Sequence, residues 1–584
     1  MCGILGGLNT GFDRSSVAKL HHRGPDQSSL VFEEVPQHGT VTLGQTRLNI
    51  VDRNDIDLPV RIGDSVILFN GEIYNHAELR VELESLGQRF QTSTDTEVAL
   101  AAYLQWGPAC LSRFNGMFAL VIWQSTGGTE RFFCARDRMG QKPFYYRYRE
   151  NKFEFASEIK AFDNLEFTTH DLFDLFEFCF NEHTLYRDVL ALKPGHYLIY
   201  DLPRGTCHTS SYWDIEHQIG GRIDDEVKAV DTFIELLEDS VRLRMRSDVP
   251  VSMFLAGGID SSLLACLSGV DEAFTCQFDE FKDSINEEYY ARDLATRLGI
   301  DVHFVRPTRE QFLGDLSSLG YHLEMPTGSF SVFPLYRLAK ACRERGYKVI
   351  LSGEGSDELF SGYARNELLI DDTCDTSSVK RNHYAAMLRR YHGSDLDRFC
   401  RMASRSGLVG AGMMKMFLMD QWNDRRSALE NISYVESRIF LQPLLQMGDR
   451  MCMASGVENR CPFLDHRLVE FAFSLEDHLR YRDGTGKWIV HEAARKLLPK
   501  GSWVLQRPVK DGLPTPVNLW MYGTHSFDRK HWNALMTAEC IKSLLGQPNQ
   551  VEPAAIHSVP AGEVTYGGTA RDLASPYAVR GSAP

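Results

Sequence analysis

The sequence predicts two domains in series, the second an α/β fold built on a parallel sheet. Three observations carry this prediction. At 584 residues the chain is longer than one hydrophobic core spans. In the first half, FNGMFALVIWQ at 114–124 alternates large apolar residues, as a sheet strand does. From about residue 226 the period lengthens, EVKAVDTFIELLEDSVRLRMRS carrying apolar residues at helical spacing before short strands and helices begin to alternate. Such alternation implies crossover helices on a parallel sheet, with ligands gathering at the carboxyl ends of the strands.

The second half is organised around VPVSMFLAGGIDSSLLACL, residues 249–267. An apolar run reads as a buried strand, breaks at Gly257 and Gly258, and resumes as a helix with Asp260 expected as its N-cap. Paired glycines let a phosphate approach the backbone, and the first helical N–H groups, expected at Ser261 and Ser262, face it with their hydroxyls. A plain tight connection between strand and helix is the alternative. FTCQF, NEEYYARDLATRLG and DVHFV then read as strand, helix and strand. YKVIL at 347–351 delivers SGEGSDELFSGY to the same edge. Crowding Glu354, Asp357 and Glu358 beside phosphates is costly without a cation between them, so Asp260 and Asp357 are candidate magnesium ligands. For Asp357 a helix-start cap is the alternative.

Composition narrows the function. A net charge of -15 and a pI near 5.7 argue against a nucleic-acid partner, which needs a basic face. No apolar run approaches the roughly 18 residues of a membrane span, and no leader is expected before Cys2, so a cytoplasmic protein with no membrane partner is expected. Thirteen cysteines without a CxxC pair fit reduced thiols better than disulfides or zinc.

The chain opens MCGILGGLNT. Removal of Met1 would leave Cys2 first, its α-amine beside its own thiol. About a tenth or more of such amines are neutral at pH 7, able to act as a base. A buried structural cysteine is the alternative. HHRGPDQSS at 21–29, TRLNIVD at 46–52, FNGEIYNHAELR at 69–80 and STDTEV at 93–98 follow. In this order they resemble the class II glutamine amidotransferase domain, an N-terminal nucleophile hydrolase with an α+β sandwich of layers αββα. The resemblance implies Cys2 as nucleophile and Asn70 with Gly71 as oxyanion hole. It implies Arg47 on the glutamine α-carboxylate, Glu72 and Asp95 on its α-amino group, and Ile50 beside them. Singly, NGE reads equally as a hairpin turn, Asp95 as a helix cap and Arg47 as a surface ion-pair partner.

FLAGGIDSS resembles the pyrophosphate loop of ATP pyrophosphatases, with Ala256 where that family has its first serine. The resemblance implies an ATP site of Leu255, Gly257, Gly258, Asp260, Ser261, Ser262, Ser352, Gly353 and Lys487. Mg2+ on Asp260 and Asp357 would accompany it. Glu354 would stand by the acyl-adenylate, and Lys487 would meet charge developing on ATP, with Lys510 as a weaker candidate. RMCMASGVENRCPFLDHRLVEFAF at 450–473 reads as helix packing. Both motif sets, over about 1–520, occur in the order of the glutamine-hydrolysing asparagine synthetase family. The expected layout is an amidotransferase domain at 1–205, a linker at 206–225, a synthetase domain at 226–535 with added helices, and a flexible tail at 536–584. The expected partners are glutamine and a carboxylate, aspartate by default; a homodimer stays open. The acceptor-side loop EMPTGSFSVFPLYRLAK at 324–340 lacks the arginine that one branch places there, so a different carboxylate of specialised metabolism is the alternative. A catalytically incomplete regulatory homologue, or a ring-closing β-lactam-type synthetase, is another.

Overall fold

Period-two burial sorts the first half of the chain into two stacked sheets. The computed structural model describes residues 2–545 apart from 55, 127–128, 150, 169–170, 219, 282–286, 364–365, 367–368, 370–393, 404–406, 507–514 and 523–528. Lys510 and the chain beyond 545 lie outside the described residues. The strands are β1 (Cys2–Leu8), β2 (Gln27–Val35), β3 (Gly39–Arg47), β4 (Val60–Ile62), β5 (Ser65–Ile73) and β6 (Gly116–Thr126). They continue as β7 (Thr129–Arg136), β8 (Tyr145–Arg149), β9 (Lys152–Ala156), β10 (Leu190–Ala191), β11 (His196–Asp201) and β12 (Thr206–Ser211). One antiparallel sheet runs β10-β8-β9-β1-β3-β2, the other β12-β11-β7-β6-β5-β4. Ile4, Leu8, Val41 and Leu43 of the first meet Val66, Leu68, Val121 and Trp123 of the second. Alternate residues turn the other way: Ile67 and Phe69 pack under the helices His76–Ser85 and Asp95–Trp106. Leu5 covers Val17 of the short helix Arg14–Ala18. This is the αββα sandwich.

Helix Glu226–Arg244, capped by Asp225, leads into the second domain. Its strands are β13 (Val251–Phe254), β14 (Glu272–Cys276), β15 (Asp301–Val305), β16 (Val349–Leu351) and β17 (Glu458–Arg460). All pair in parallel, in the order β15-β14-β13-β16-β17. The order reverses between β13 and β16, so a crevice opens where both strands end.

Four expectations change. The helix Ile259–Ser268 takes Gly258 as its N-cap, so Asp260 is its second residue rather than its cap. Segment 450–473 is more than packing: it supplies β17, a polar ENR strand that no apolar period announces. The expected linker 206–225 begins with β12, and its Trp213 and Ile215 are buried in the second domain's core. The expected tail from 536 starts inside helix Arg529–Leu545. Trp532, Met536 and Cys540, four residues apart on one face, are buried there. Gly320 lets this helix close on Arg309–Leu323, since a Cβ there would lie 2.7 Å from the Glu539 carbonyl carbon. Among the described residues no helix is long and apolar enough to cross a membrane.

Candidate active site

The first centre lies where β1 of one sheet faces β5 of the other. Cys2 is buried and pairs with Arg47 in the β1–β3 ladder. Its N–H donates to Asn70 Oδ1 at 3.2 Å. Asn70 is fully buried and its Nδ2 has no hydrogen-bond partner among the described residues, a donor aimed into the site and left unused. Asn70-Gly71-Glu72 is extended strand, not a hairpin turn. Gly71 is required by close approach: a Cβ would sit 2.1 Å from the Met117 carbonyl oxygen on β6.

Glu72 and Asp95 form a buried acidic pair. Burial, then Glu458 and Asp95, push the Glu72 carboxyl well above the carboxylate range, against the pull of Arg460. Burial raises Asp95 as well. Two acids held this way suit a bound ammonium group. Asp95 is the first residue of its helix, Thr94 being the cap, and its Oδ2 accepts from the Ile73 N–H at 2.9 Å. Arg47 is not a surface residue: both terminal nitrogens hold the 51–54 loop and Gln27, Nη1 reaching Gln27 Oε1 at 2.7 Å and Asn54 O at 2.9 Å. Ile50 packs with Leu48, Val349 and Met453, an apolar seam between the domains, and its carbonyl accepts from the Asp248 N–H at 3.0 Å.

The second centre sits in the crevice between β13 and β16. Gly257 has φ +62°, a conformation that favours glycine, and Leu255 is buried with its N–H on Phe274 O. The Ser262 N–H is already committed to Gly258 O at 3.0 Å, and both serine hydroxyls donate to that same carbonyl. The seat expected from Ser261 and Ser262 side chains is therefore turned inward. Lys487 bridges the two acidic loops: its Nζ lies 2.9 and 2.8 Å from the Asp260 oxygens and 2.7 Å from Asp357 Oδ1. Burial opposes this charge, but Asp260 and Asp357 outweigh it and raise the lysine pKa. Asp260 also accepts from Ser356 Oγ at 2.6 Å. Glycines make the convergence possible. A Cβ at Gly353 would touch the Asp260 Cβ at 3.0 Å, and one at Gly362 would lie 2.3 Å from Lys487 Cε. Asp260 and Asp357 are also the carboxylates here that could ligate a divalent cation; it would have to displace the Lys487 ammonium from between them and take its remaining ligands from phosphate and water.

Glu354 stands at the same strand ends, partly exposed, with its carboxyl pushed up to about 7 by burial and held back by Cys461, Asn459 and Lys142. Glu358, buried alongside, is also raised to about 7 by burial and Asp357, and accepts from Tyr363.

The domains meet between the centres through residues that sequence reasoning missed. Arg23 donates to the Cys2 carbonyl at 3.2 Å and, through Nη1, to Glu158 and Asp449 at 2.7 and 2.8 Å. Asp449 also takes Lys142 at 3.4 Å, and it follows Gly448, which abuts the Glu354 carboxylate. Glu324, at the head of the acceptor-side loop, accepts the N–H groups of Ile159 and Lys160 at 2.9 and 2.8 Å. No local period marks these partners, which lie far apart in sequence and meet only in the fold.

The family pattern described as asparagine synthase matches residues 232–543, and the glutamine amidotransferase domain pattern matches 1–213. The chain belongs to the asparagine synthase family. "Asparagine synthetase [glutamine-hydrolyzing] 1" of Bacillus subtilis is 30% identical over 89% of this chain and 88% of its own length. Two fungal relatives carry another name: "Amidase chyE" of Penicillium rubens is 29% identical over 80% of this chain and 78% of that one. "Amidase chry2" of Gibberella zeae is 27% identical over 80% and 79%. This asparagine synthase family member is a glutamine-dependent carbon–nitrogen ligase with a glutamine amidotransferase domain at 1–213, in a family that uses ATP.

Proposed function

We propose that the chain releases ammonia from glutamine at Cys2 and uses it to amidate an adenylated carboxylate held near Glu354, with aspartate as the acceptor. The observation that carries the first half is the unpaired Asn70 Nδ2 beside a Cys2 N–H already held by the same side chain. With Met1 removed, that nitrogen is the α-amine. It takes the thiol proton, Sγ attacks the glutamine amide carbon, and Asn70 Nδ2 with the Gly71 N–H receives the oxyanion. Ammonia leaves with a returned proton, and water hydrolyses the thioester to glutamate. Glu72 and Asp95 supply the charge for the glutamine ammonium, and Arg47 shapes the loop around its carboxylate. Asn70→Ala is expected to lower glutaminase turnover by about 10² to 10³. Glutamate release by the purified variant measures this.

At the second centre a carboxylate oxygen attacks the α-phosphorus of ATP and pyrophosphate departs. Asp260 and Asp357 would hold Mg2+, which supplies charge neutralisation on the departing phosphates when bound. Lys487, moved aside by that cation, would bring a second positive charge next to it, and the backbone of Leu255, Gly257, Gly258, Ser352 and Gly353 lines the nucleotide. Ammonia then attacks the acyl carbon and AMP leaves, with Glu354 taking the proton.

A different acceptor is favoured by one feature: Glu324 at the head of the acceptor-side loop is held by the amidotransferase domain and Arg450, and the stretch's one arginine, Arg337, is paired with Asp315 at 2.6 Å, which leaves no arginine before Pro326 for an amino acid's α-carboxylate. The fungal relatives named amidases point the same way. ATP–pyrophosphate exchange across a panel of carboxylic acids decides it. Exchange with aspartate upholds the first reading; exchange with another acid and none with aspartate replaces it.

A further inference from the structure

Glu354 is held from one side only. Asn459 Nδ2 donates to its Oε2 at 3.2 Å, and Cys461 Sγ reaches the same oxygen at 3.4 Å. No hydrogen bond to Oε1 is found among the described residues. Both donors come from the β17 end, where Asn459 pairs with Ile350 and Arg460 with Leu351. This register brings them beside the loop that carries Glu354, since the Ser352 N–H donates to Arg460 O at 3.0 Å. Ser352 Oγ lies 3.5 Å from Cys461 Sγ, so a hydroxyl stands behind the thiol. Burial and the neighbouring Glu354 raise the Cys461 thiol well above its usual range, which keeps it protonated and a donor.

Two further facts show that the arrangement costs something to keep. Asn459 is buried with its Oδ1 unpaired, a loss that an apolar residue of similar size would avoid. Beside it, Gly448 makes room for this pair: a Cβ there would lie 3.1 and 3.2 Å from the two Glu354 oxygens and 3.3 Å from Asn459 Nδ2. The other titratable or charged groups facing Glu354 are Lys142 from the amidotransferase domain and Cys452 on helix Leu441–Met453.

We propose that Asn459 and Cys461 are positioning residues for Glu354: they fix Oε2 and leave Oε1 as the oxygen that takes the proton from attacking ammonia. The inference rests on the synthetase reading above. In the step it concerns, the N–C bond forms, the C–O bond to AMP breaks with its electron pair leaving on AMP, and one ammonium proton passes to Oε1. A carboxylate pinned through one oxygen presents the other in a fixed direction, and donors to its charged form keep it ionised at lower pH.

The test uses the full-length enzyme with ammonium chloride as nitrogen source, so that Cys2 plays no part. L-Aspartate, or the panel acid that supports exchange, is the acceptor. Amide formation is followed against pH for wild type, Cys461→Ala, Asn459→Leu, the double variant carrying both, and Cys461→Ser, with ATP–pyrophosphate exchange measured on each. Removing a donor to the charged form raises the pKa of Glu354, so the acid limb of amidation moves to higher pH. A shift of about one unit for Cys461→Ala with Asn459→Leu combined lowers amidation about tenfold at pH values below the limb. Exchange is expected to stay within about twofold, since adenylation precedes the proton transfer, and Cys461→Ser is expected to return the limb toward wild type. Exchange retained with an unmoved limb in both single variants and the double overturns this proposal alone. Wild-type enzyme with no exchange on any acid overturns the synthetase reading and the proposal together. Loss of exchange in Cys461→Ala and Asn459→Leu alike assigns the pair a structural role and overturns it too.

Discussion

Cys2→Ala is expected to lower glutamine-dependent amide formation by at least about 10³ while ammonium-dependent formation continues near the wild-type rate. The asymmetry follows from where Cys2 lies. It is a residue of the amidotransferase sandwich, and its carbonyl is held by Arg23, which reaches on to Asp449 of the second domain. Alanine keeps that carbonyl and the N–H to Asn70, so the β1 ladder and the domain contact survive while the sulfur is lost. Steady-state assays with each nitrogen source give the ratio. Equal loss with ammonium would mean that Cys2 supports the fold rather than glutamine cleavage.

Lys487→Ala is expected to abolish pyrophosphate exchange, by about 10² to 10³ or more, and to lower stability. The lysine neutralises Asp260 and Asp357 together, and without it two carboxylates face each other at the crevice. Breaking such a buried pair costs about 3 kcal/mol, the low end of the usual range, because the Asp357 side chain is 40% exposed. Lys487→Arg is expected to fail as well. A Cβ on Gly362 would already lie 2.3 Å from Lys487 Cε, which leaves no room for a planar guanidinium. Exchange and thermal unfolding measure the two effects separately. Full activity in Lys487→Ala would remove the lysine from the ATP centre.

Parts of this arrangement are legible in the sequence because they depend on local rules. The paired glycines 257 and 258 announce a strand-to-helix turn, and strand–helix alternation places it at a sheet edge. Asp260 is not the cap because the helix begins at Ile259 with Gly258 as its cap, two positions earlier than the motif suggests; an acid in the first helical turn still meets the positive helix end, and here it also meets Lys487. The inward turn of the Ser261 and Ser262 hydroxyls is invisible in a motif, which gives residue types but not rotamers. The helix over 529–545 was readable from Trp532, Met536 and Cys540 at four-residue spacing, a signal masked by the polar composition that follows.

What the sequence could not show arises from pairing across long separations. Asn459 and Cys461 meet Glu354 because β17 joins β16 in parallel, although more than a hundred residues lie between them. ENR has no apolar period to mark it as a strand. The same holds for the charges between the domains. Arg23 and Asp449 are 426 positions apart and fully buried against each other, a contact that only the tertiary fold creates.

The account stands most directly on the fate of one nitrogen. Processed enzyme is given glutamine labelled with 15N in its side-chain amide, ATP, magnesium and the acid selected by exchange, and the products are counted by mass spectrometry. The account predicts one 15N-labelled amide for each AMP and each pyrophosphate formed. AMP without label in the amide, or ADP and phosphate in place of AMP and pyrophosphate, would contradict it.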